Sequence, residues 1–222
     1  MFNRAGTSGF GLDFAYVGQT TQNTTLSTYT FSSHDLGEEH PERMIVIAIS
    51  LGGSTPVAVT TVTVAGNDPA FAIGGGSGNV RQVIRYIKLP TGTSGDIVVN
   101  VTGTCTTCRV TVYRFNTAAT SHLDAVRDNP TASTTATAAD IECSTGGVVI
   151  GDAVSDTVQT ITPSWNGSDS LETVYSSGGV NLYRWGGYVL TSENSTTNDL
   201  SISVTSSDNL VVSAASFEFT KG

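Results

Sequence analysis

Charged side chains are scarce in this sequence of 222 residues. Asp, Glu, Lys and Arg together make up 13% of the chain, whereas an ordinary soluble domain contains about 25%. The 10 basic residues are scattered, and the net charge is −9. Binding to a phosphate backbone requires clustered Lys and Arg, so this composition argues against a nucleic-acid partner.

Long apolar runs are also missing. No segment approaches the roughly 18 apolar residues of a membrane-spanning helix, so no membrane partner is predicted. The first residues, MFNRAGTSGF, lack a basic segment followed by an apolar stretch of about 7–15 residues. No secretory signal is therefore predicted.

Cysteine is rare, with Cys105, Cys108 and Cys143 as the three residues of this type. The first two have the C-x-x-C spacing of redox and zinc sites. A redox pair requires a helix N-terminus, however, and structural zinc normally has four Cys or His ligands. Two alternatives stay open: a disulfide, within the pair or from one member to Cys143, and three small buried thiols. No metal or other cofactor is predicted.

Hydroxyl side chains, by contrast, are abundant, with 34 threonines and 25 serines. They alternate with apolar residues in residues 28–31, 109–112 and 200–205, a pattern that predicts strands with one face in solvent. Two runs, 44–49 and 148–150, are continuously apolar and predict central strands covered on both faces.

Turn-forming clusters separate these segments, as in residues 91–96 and 206–209, and no segment has a convincing 3.6-residue apolar period. Strands recur about every 8–12 residues. The pattern predicts an all-β, antiparallel β-sandwich of the jelly-roll or immunoglobulin-like type.

Three pairs of segments resemble one another at a spacing of about 101 to 104 residues. They are 43–47 with 147–150, 64–68 with 165–169, and 96–101 with 199–204. The spacing predicts two pseudo-repeated halves, about 24–117 and 132–222, which fold as two tandem sandwiches or interleave in one.

Residues 1–23 differ from the rest because glycines and polar spacers separate their aromatic side chains without alternation. We predict an N-terminal arm whose aromatics become ordered against a neighbouring subunit, the alternative being a floppy terminus. The candidate assembly residues are Phe2, Phe10, Phe14 and Tyr16.

Aromatic residues in the second half suggest a sugar-binding surface. Tyr183 and Trp185 share one side of a predicted strand, and Gly186 and Gly187 predict a bulge that re-aims side chains. Rings stack on sugar faces, while neighbouring polar groups bind hydroxyls. The candidate glycan contacts are Trp165, Tyr183, Arg184 and Trp185, and packing in the core is the alternative for each ring.

Other polar clusters have simpler interpretations. Residues 34–40 contain two His and three acids, which fit either metal binding or an ordinary solvated loop. The glycine run 74–78 is interpreted as a flexible turn, and Asp152 and Asp156 as turn residues. No nucleophile motif is present, so the protein is predicted not to be an enzyme and no catalytic residue is assigned.

The strand and turn patterns of residues 87–99, 108–113 and 146–150, with Trp165, are similar to a family of β-sandwich proteins encoded in tailed phages and prophages of alphaproteobacteria. The resemblance covers about residues 25–219. It implies a multicopy structural subunit on the virion exterior, such as a capsid decoration, fibre base, collar or tail-associated protein. Such a subunit is made in the host cytoplasm, and its partners are other virion proteins. The alternative is a carbohydrate-binding adhesin or receptor-binding module that contacts a host surface glycan.

Overall fold

A computed structural model describes residues 13–53, 57–179 and 182–219. Within these residues the chain forms sixteen β-strands and no helix. The strands are β1 (Phe14–Gln22), β2 (Leu26–Asp35), β3 (Arg43–Gly52), β4 (Val59–Val64), β5 (Ala70–Ser77), β6 (Val80–Lys88), β7 (Ser94–Cys105), β8 (Thr107–Asn116), β9 (Asp124–Asp128), β10 (Ser133–Cys143), β11 (Val148–Ser155), β12 (Thr162–Trp165), β13 (Leu171–Gly179), β14 (Leu182–Leu190), β15 (Ser195–Asp208) and β16 (Leu210–Phe217).

The two halves of the chain repeat one strand order. The first eight strands form a five-stranded sheet, β1-β8-β3-β6-β5, and a three-stranded sheet, β2-β7-β4. The last eight form β9-β16-β11-β14-β13 and β10-β15-β12. In each half the first strand pairs with the eighth, the second with the seventh and the third with the sixth, all antiparallel. This is the jelly-roll arrangement. The all-β sandwich with repeated halves is confirmed.

Burial follows the sequence pattern in both kinds of sheet. In the three-stranded sheets buried residues alternate with more exposed ones, as with Ile97 and Val99 in β7 and Leu200 and Ile202 in β15. In β3 and β11 every residue is buried. The prediction of strands covered on both faces is therefore confirmed for these two strands.

The packing forms four layers. One core lies inside the first half, around residues such as Tyr29, Ile47 and Val99, and a second lies inside the other half, around Trp185 and Leu200. A third apolar cluster joins the two five-stranded sheets. Its main members are Met44, Val46, Ile84, Tyr86, Tyr113, Phe115, Val148, Ile150, Ala215 and Phe217. Each five-stranded sheet is thus buried between its own three-stranded sheet and the other half.

A matching irregularity supports the duplication. In β2 the backbone at Ser33 has φ 50°, and its N–H donates to Asp96 Oδ1 on β7 at 2.9 Å. In β10 Asp140 has φ 57°, and its N–H donates to Asp199 Oδ1 on β15 at 2.9 Å. Pairing shifts register at both places. Each half therefore has the same bulge held by the same type of carboxylate.

Four local predictions need correction. Strand β1 begins at Phe14, inside the predicted arm, and pairs with β8 along its length. Gly74, Gly75 and Gly76 belong to β5 and not to a turn. Asp152 lies in the fully buried strand β11. The register shift near Gly186 and Gly187 occurs in the facing strand β13, between Thr173 and Tyr175, while β14 pairs regularly with β11.

Candidate functional site

A segment rich in carboxylates, residues 35–42, runs from the last residue of β2 to the start of β3 and is called the acidic loop. Its shape depends on Arg43, the first residue of β3, which is fully buried. The Arg43 guanidinium donates to five backbone carbonyl oxygens at 2.6 to 3.0 Å. These belong to Gly37, Glu38, Leu89, Thr91 and Gly92. One cation therefore holds the β2–β3 and β6–β7 connections together.

Arginine suits this position because its planar fork presents five donors and stays charged even when buried. Burial lowers the pKa of Arg43, and the nearby Glu39 carboxylate acts in the opposite direction. The acidic loop is consequently a preorganised surface and not a floppy connection.

The polar side chains of this loop are engaged with the chain itself. Asp35 accepts from Gly37 N–H at 2.8 Å, and the His40 ring accepts from Glu42 N–H at 3.0 Å. Glu38 and Arg114 approach to 3.5 Å. Among the residues that the structure describes, no group of three His, Cys, Asp or Glu could hold a metal ion. The ordinary solvated-loop interpretation of residues 34–40 fits this geometry.

A polar layer crosses the otherwise apolar contact between the two halves. On one sheet Ser50 lies between Gln82 and Arg109 in register, and on the other Asp152 pairs with Ser213. The Ser50 hydroxyl donates to Asp152 Oδ2 at 2.9 Å. All five residues are buried. Burying polar groups costs free energy unless they are hydrogen-bonded, so this layer favours one register of the two sheets over others.

Arg184 makes a second polar link between the halves. It lies on β14, is fully buried, and donates through Nη2 to Thr107 Oγ1 on β8 at 3.0 Å. The Thr107 hydroxyl in turn donates to Asn23 Oδ1 at 2.7 Å. A cation of the second half is thereby anchored in the first half.

The burial of these residues corrects the predicted glycan site. Trp185 is fully buried in the core of the second half, and its indole N–H donates to Thr173 Oγ1 at 3.0 Å. Tyr183 packs against the same core, half-buried, whereas Arg184 contacts the other half. Trp165, also half-buried, lies on β12 in the outer sheet. The four side chains therefore do not form one exposed surface.

The three cysteines are buried free thiols. Cys105 and Cys108 lie in the core of the first half and Cys143 in that of the second, so no bridge joins either member of the pair to Cys143. Burial raises the pKa of Cys105 to about 11 and raises that of Cys108 and Cys143 as well. A redox pair requires a lowered thiol pKa, so this environment opposes the redox interpretation.

The glycines of β5 allow the two halves to approach closely. A Cβ atom on Gly75 would lie 3.2 Å from Val211 and 3.3 Å from Arg127, both in the second half. Arg127 donates to the carbonyl of Gly74, and Asn129 donates to Gly76 O at 3.1 Å. The outer edge of β5 is thus covered by side chains, which protects an edge strand from uncontrolled pairing.

A surface groove lies beside β5 and the start of β4. This groove of about 270 Å³, called the β5 groove, is lined by Ala58, Val59, Phe71, Gly74, Gly75, Gly76, Arg81, Gln82, Val83 and Arg127. Phe71 is 52% exposed, and the Arg85 guanidinium lies 5.3 Å from its ring centroid. A cation over an aromatic face is favourable, so Arg85 holds the ring in place.

Of the predicted arm residues, Phe14 and Tyr16 are part of β1. Phe14 packs on Tyr188 of the second half with ring centroids 4.5 Å apart, and Tyr16 packs on Tyr113 at 5.9 Å. Phe14 thus contacts the second half directly, and both rings pack in the apolar cluster between the halves of one chain, which corrects their assignment to a neighbouring subunit. Phe2 and Phe10 lie outside the described residues.

The sequence indicates the polar cluster 34–40, which forms most of the acidic loop, but it does not indicate the β5 groove. The arginines of the groove are separated by up to 46 positions, since Arg81 and Arg127 lie in different halves. Nothing in the sequence indicates the structural role of Arg43 either, because a single basic residue before an apolar run is common at the start of a strand.

Comparisons with known proteins give little further information. No family model matches the chain, and no curated protein matches it. Among solved structures, the crystal structure of Cucumber Necrosis Virus is similar at 10% identity and a TM-score of 0.33, covering 94% of this chain and 86% of the other. A likeness of this degree carries no argument about function. Within the described residues, no helix is long and apolar enough to span a membrane.

Proposed function

We propose that this protein is a structural subunit of a virus particle. More specifically, we propose that it lies on the exterior of a tailed phage, as a capsid decoration, fibre base, collar or tail-associated subunit. Its partners are other virion proteins and further copies of itself. In this role it acts by assembly and performs no catalysis.

The observation that carries the proposal is the use of the buried charges. Arg43, Asp152 and Arg184 are fully buried, and the partners described for each belong to the chain itself, where they join loops or halves. Buried charge in enzymes commonly serves a reactive cleft. Here the charges rigidify a four-layer block, which is what a building element requires.

The surface composition supports the same role. The outer three-stranded sheets present hydroxyl groups, as in the Thr28–Asn100–Thr61 contacts at 2.7 Å across β2, β7 and β4. A neutral, hydroxyl-rich face keeps a multicopy protein soluble without large charge fields. The edge strands β2, β4, β10 and β12 supply backbone groups through which neighbours can pair.

The test is localisation on purified particles. A phage or prophage that encodes this chain is induced, the particles are banded on a density gradient, and the chain is detected by mass spectrometry and by antibody labelling of intact particles. We expect it to co-migrate with the particles and to be labelled without disruption. Recovery only in the soluble fraction would refute the virion role, and labelling only after disruption would refute the exterior position.

A further inference from the structure

Basic side chains free of ion pairs concentrate around the β5 groove. Arg81, Arg85 and Arg127 account for three of the 10 basic residues of the chain. Within the described residues, none of the three forms a salt bridge, whereas Lys88 and Arg114 each do. In a chain with a net charge of −9, this groove is a local positive site with an exposed ring beside it.

The cationic groups are held by the backbone and keep donors available. Arg81 donates through Nη1 to Gly78 O at 3.1 Å and Val80 O at 2.7 Å, and Arg85 donates through Nη1 to Pro69 O at 3.1 Å. A guanidinium has five N–H donors in a fixed fork that matches a carboxylate. Both arginines can therefore donate two hydrogen bonds to a carboxylate while they keep their hydrogen bonds to the backbone.

The size and shape of the groove favour a protein partner. Small-molecule pockets usually enclose about 300–1,000 Å³ and bury most of the ligand. The β5 groove, at about 270 Å³, is smaller and borders the start of β4, an edge strand. It accommodates a loop with one or two acidic side chains better than an enclosed ligand.

The acidic loop of the same protein has the complementary charge. It carries Asp35, Glu38, Glu39 and Glu42, all exposed. One oxygen of Glu38 lies 3.5 Å from Arg114, yet the side chain is 89% exposed. Arg43 fixes the loop backbone, so little conformational entropy is lost when the loop binds.

Arg81 and the acidic loop lie at opposite ends of one strand pair. The pairing of β3 with β6 places Met44 opposite Lys88 at the acidic-loop end and Gly52 opposite Val80 at the other. The eight steps from Val80 to Lys88 span about 27 Å. The acidic loop of a chain therefore does not reach its own Arg81, so a contact between the two requires a second copy.

We propose that the β5 groove binds the acidic loop of a second copy of this chain, giving head-to-tail assembly. Glu38 of one copy pairs with Arg81 of the next, and the exposed face of Phe71 packs against the loop. Such a contact joins two different surfaces, so it continues into a ring or an open filament. The inference rests on the proposed assembly role, because it names the chain itself as a partner.

The test is self-association of the purified full chain, measured by sedimentation equilibrium at about 0.05 M and 1 M salt. Screening lengths fall to about 3 Å at 1 M salt. We expect concentration-dependent association at low salt that weakens at least about tenfold at high salt. A wild-type chain that stays monomeric under both conditions overturns the proposal.

Charge exchange identifies the surfaces. Arg81→Glu and Glu38→Lys each place like charges in contact, and each should weaken association about tenfold or more. An equimolar mixture of the two variants restores opposite charges at every contact and should recover association. Failure of the mixture to recover association, or either variant associating like the wild type, refutes the pairing.

Matched controls separate this contact from net charge and from misfolding. Glu172→Lys makes the same charge change as Glu38→Lys at an exposed position of β13, and it should leave association unchanged. If Arg81→Glu does not fold, Phe71→Ser is the second test, because it removes only a half-exposed ring. It should weaken association. A folded Phe71→Ser chain that associates like the wild type refutes binding at the β5 groove.

Failure of this inference and failure of the proposed function give different results. Association without recovery on particles keeps the head-to-tail contact and rejects the virion role. Recovery on particles by a chain that is monomeric alone rejects the head-to-tail contact only.

Discussion

At the scale of single residues, Arg43 joins two loops outside the apolar cores. It is fully buried, and its five acceptors are backbone carbonyls from two loops. Hydrogen bonds from a charged donor contribute about 1.5–3 kcal/mol each when single bonds are removed, although such values are not additive. The position therefore requires a guanidinium and not merely a positive charge.

We expect Arg43→Met to lower the free energy of unfolding by about 3 kcal/mol or more, because it leaves carbonyls of two loops without their donor. Arg43→Lys should recover only part of this, since an ammonium has three donors and no fork. Urea unfolding at 25 °C measures both. As a control, Glu42→Gln removes the exposed Glu42–Lys88 pair and should cost at most about 1 kcal/mol.

Buried titratable groups make stability dependent on alkaline pH. Burial raises the pKa of Cys105 from its ordinary 9.0 to about 11, and that of Tyr29 from 10.0 to about 12. Folding thus favours the protonated form of each group. The stability that they contribute is complete below the ordinary pKa and is lost as pH rises through the raised one.

We expect the free energy of unfolding to fall between about pH 9 and 12, with the Cys105 contribution lost from 9.0 to about 11 and that of Tyr29 from 10.0 to about 12. Urea midpoints measured in steps of pH test this. Cys105→Ala should reduce the first part of the decline without abolishing it, because burial also raises the pKa of Cys108 and Cys143. Tyr29→Phe should reduce the second part. Equal slopes in the wild type and both variants would contradict the assignment.

At the scale of elements, paired glycines make room for Trp185. Gly151 and Gly187 face each other across β11 and β14. A Cβ atom on Gly151 would lie 2.4 Å from Leu200 and 3.2 Å from the Trp185 ring. One on Gly187 would lie 2.5 Å from Glu172 O and from the same ring. The indole therefore packs directly on the backbone of two strands.

Gly187→Ala should destabilise the fold by about 1–3 kcal/mol, because the new methyl group meets a backbone oxygen that cannot move without breaking the sheet. Trp185 fluorescence should shift to longer wavelength if the ring is displaced. Gly18→Ala in β1 is the control, since its nearest contact would be 4.0 Å away. It should change stability by no more than about 0.5 kcal/mol. Equal effects of the two substitutions would refute the packing argument.

At the scale of the whole molecule, the two halves depend on each other. The contact between the five-stranded sheets buries Met44, Val46, Ile84 and Phe115 of the first half against the second. A fragment of residues 1–117 would expose this apolar face to water, and exposed patches of this kind cause association.

We expect the full chain to unfold in one cooperative transition, seen as coincident urea curves by circular dichroism and tryptophan fluorescence. The fragment 1–117 should aggregate or be markedly less stable than the full chain. Its behaviour as a stable monomer, or two separate transitions of the full chain, would show that the halves fold independently.

Much of the architecture and the polar cluster 34–40 could be predicted from the sequence, but the β5 groove could not. Alternation at residues 200–205 and the apolar run 44–49 predicted outer and inner strands, because the side-chain period of a strand is a local property. The interpretation of residues 74–78 as a turn was wrong because glycine in a strand resembles glycine in a loop until the neighbouring sheet is known.

The amino-acid sequence by itself determined the strand class, the solvent-facing hydroxyls and the duplication, since each depends on residues close together or on repetition along the chain. Only the tertiary structure decided that Asp152 meets Ser50, that Trp185 is buried and that Arg81 and Arg127 line one groove. Such contacts join residues from separate strands, and a period-two pattern states which face a side chain occupies but not what lies opposite that face.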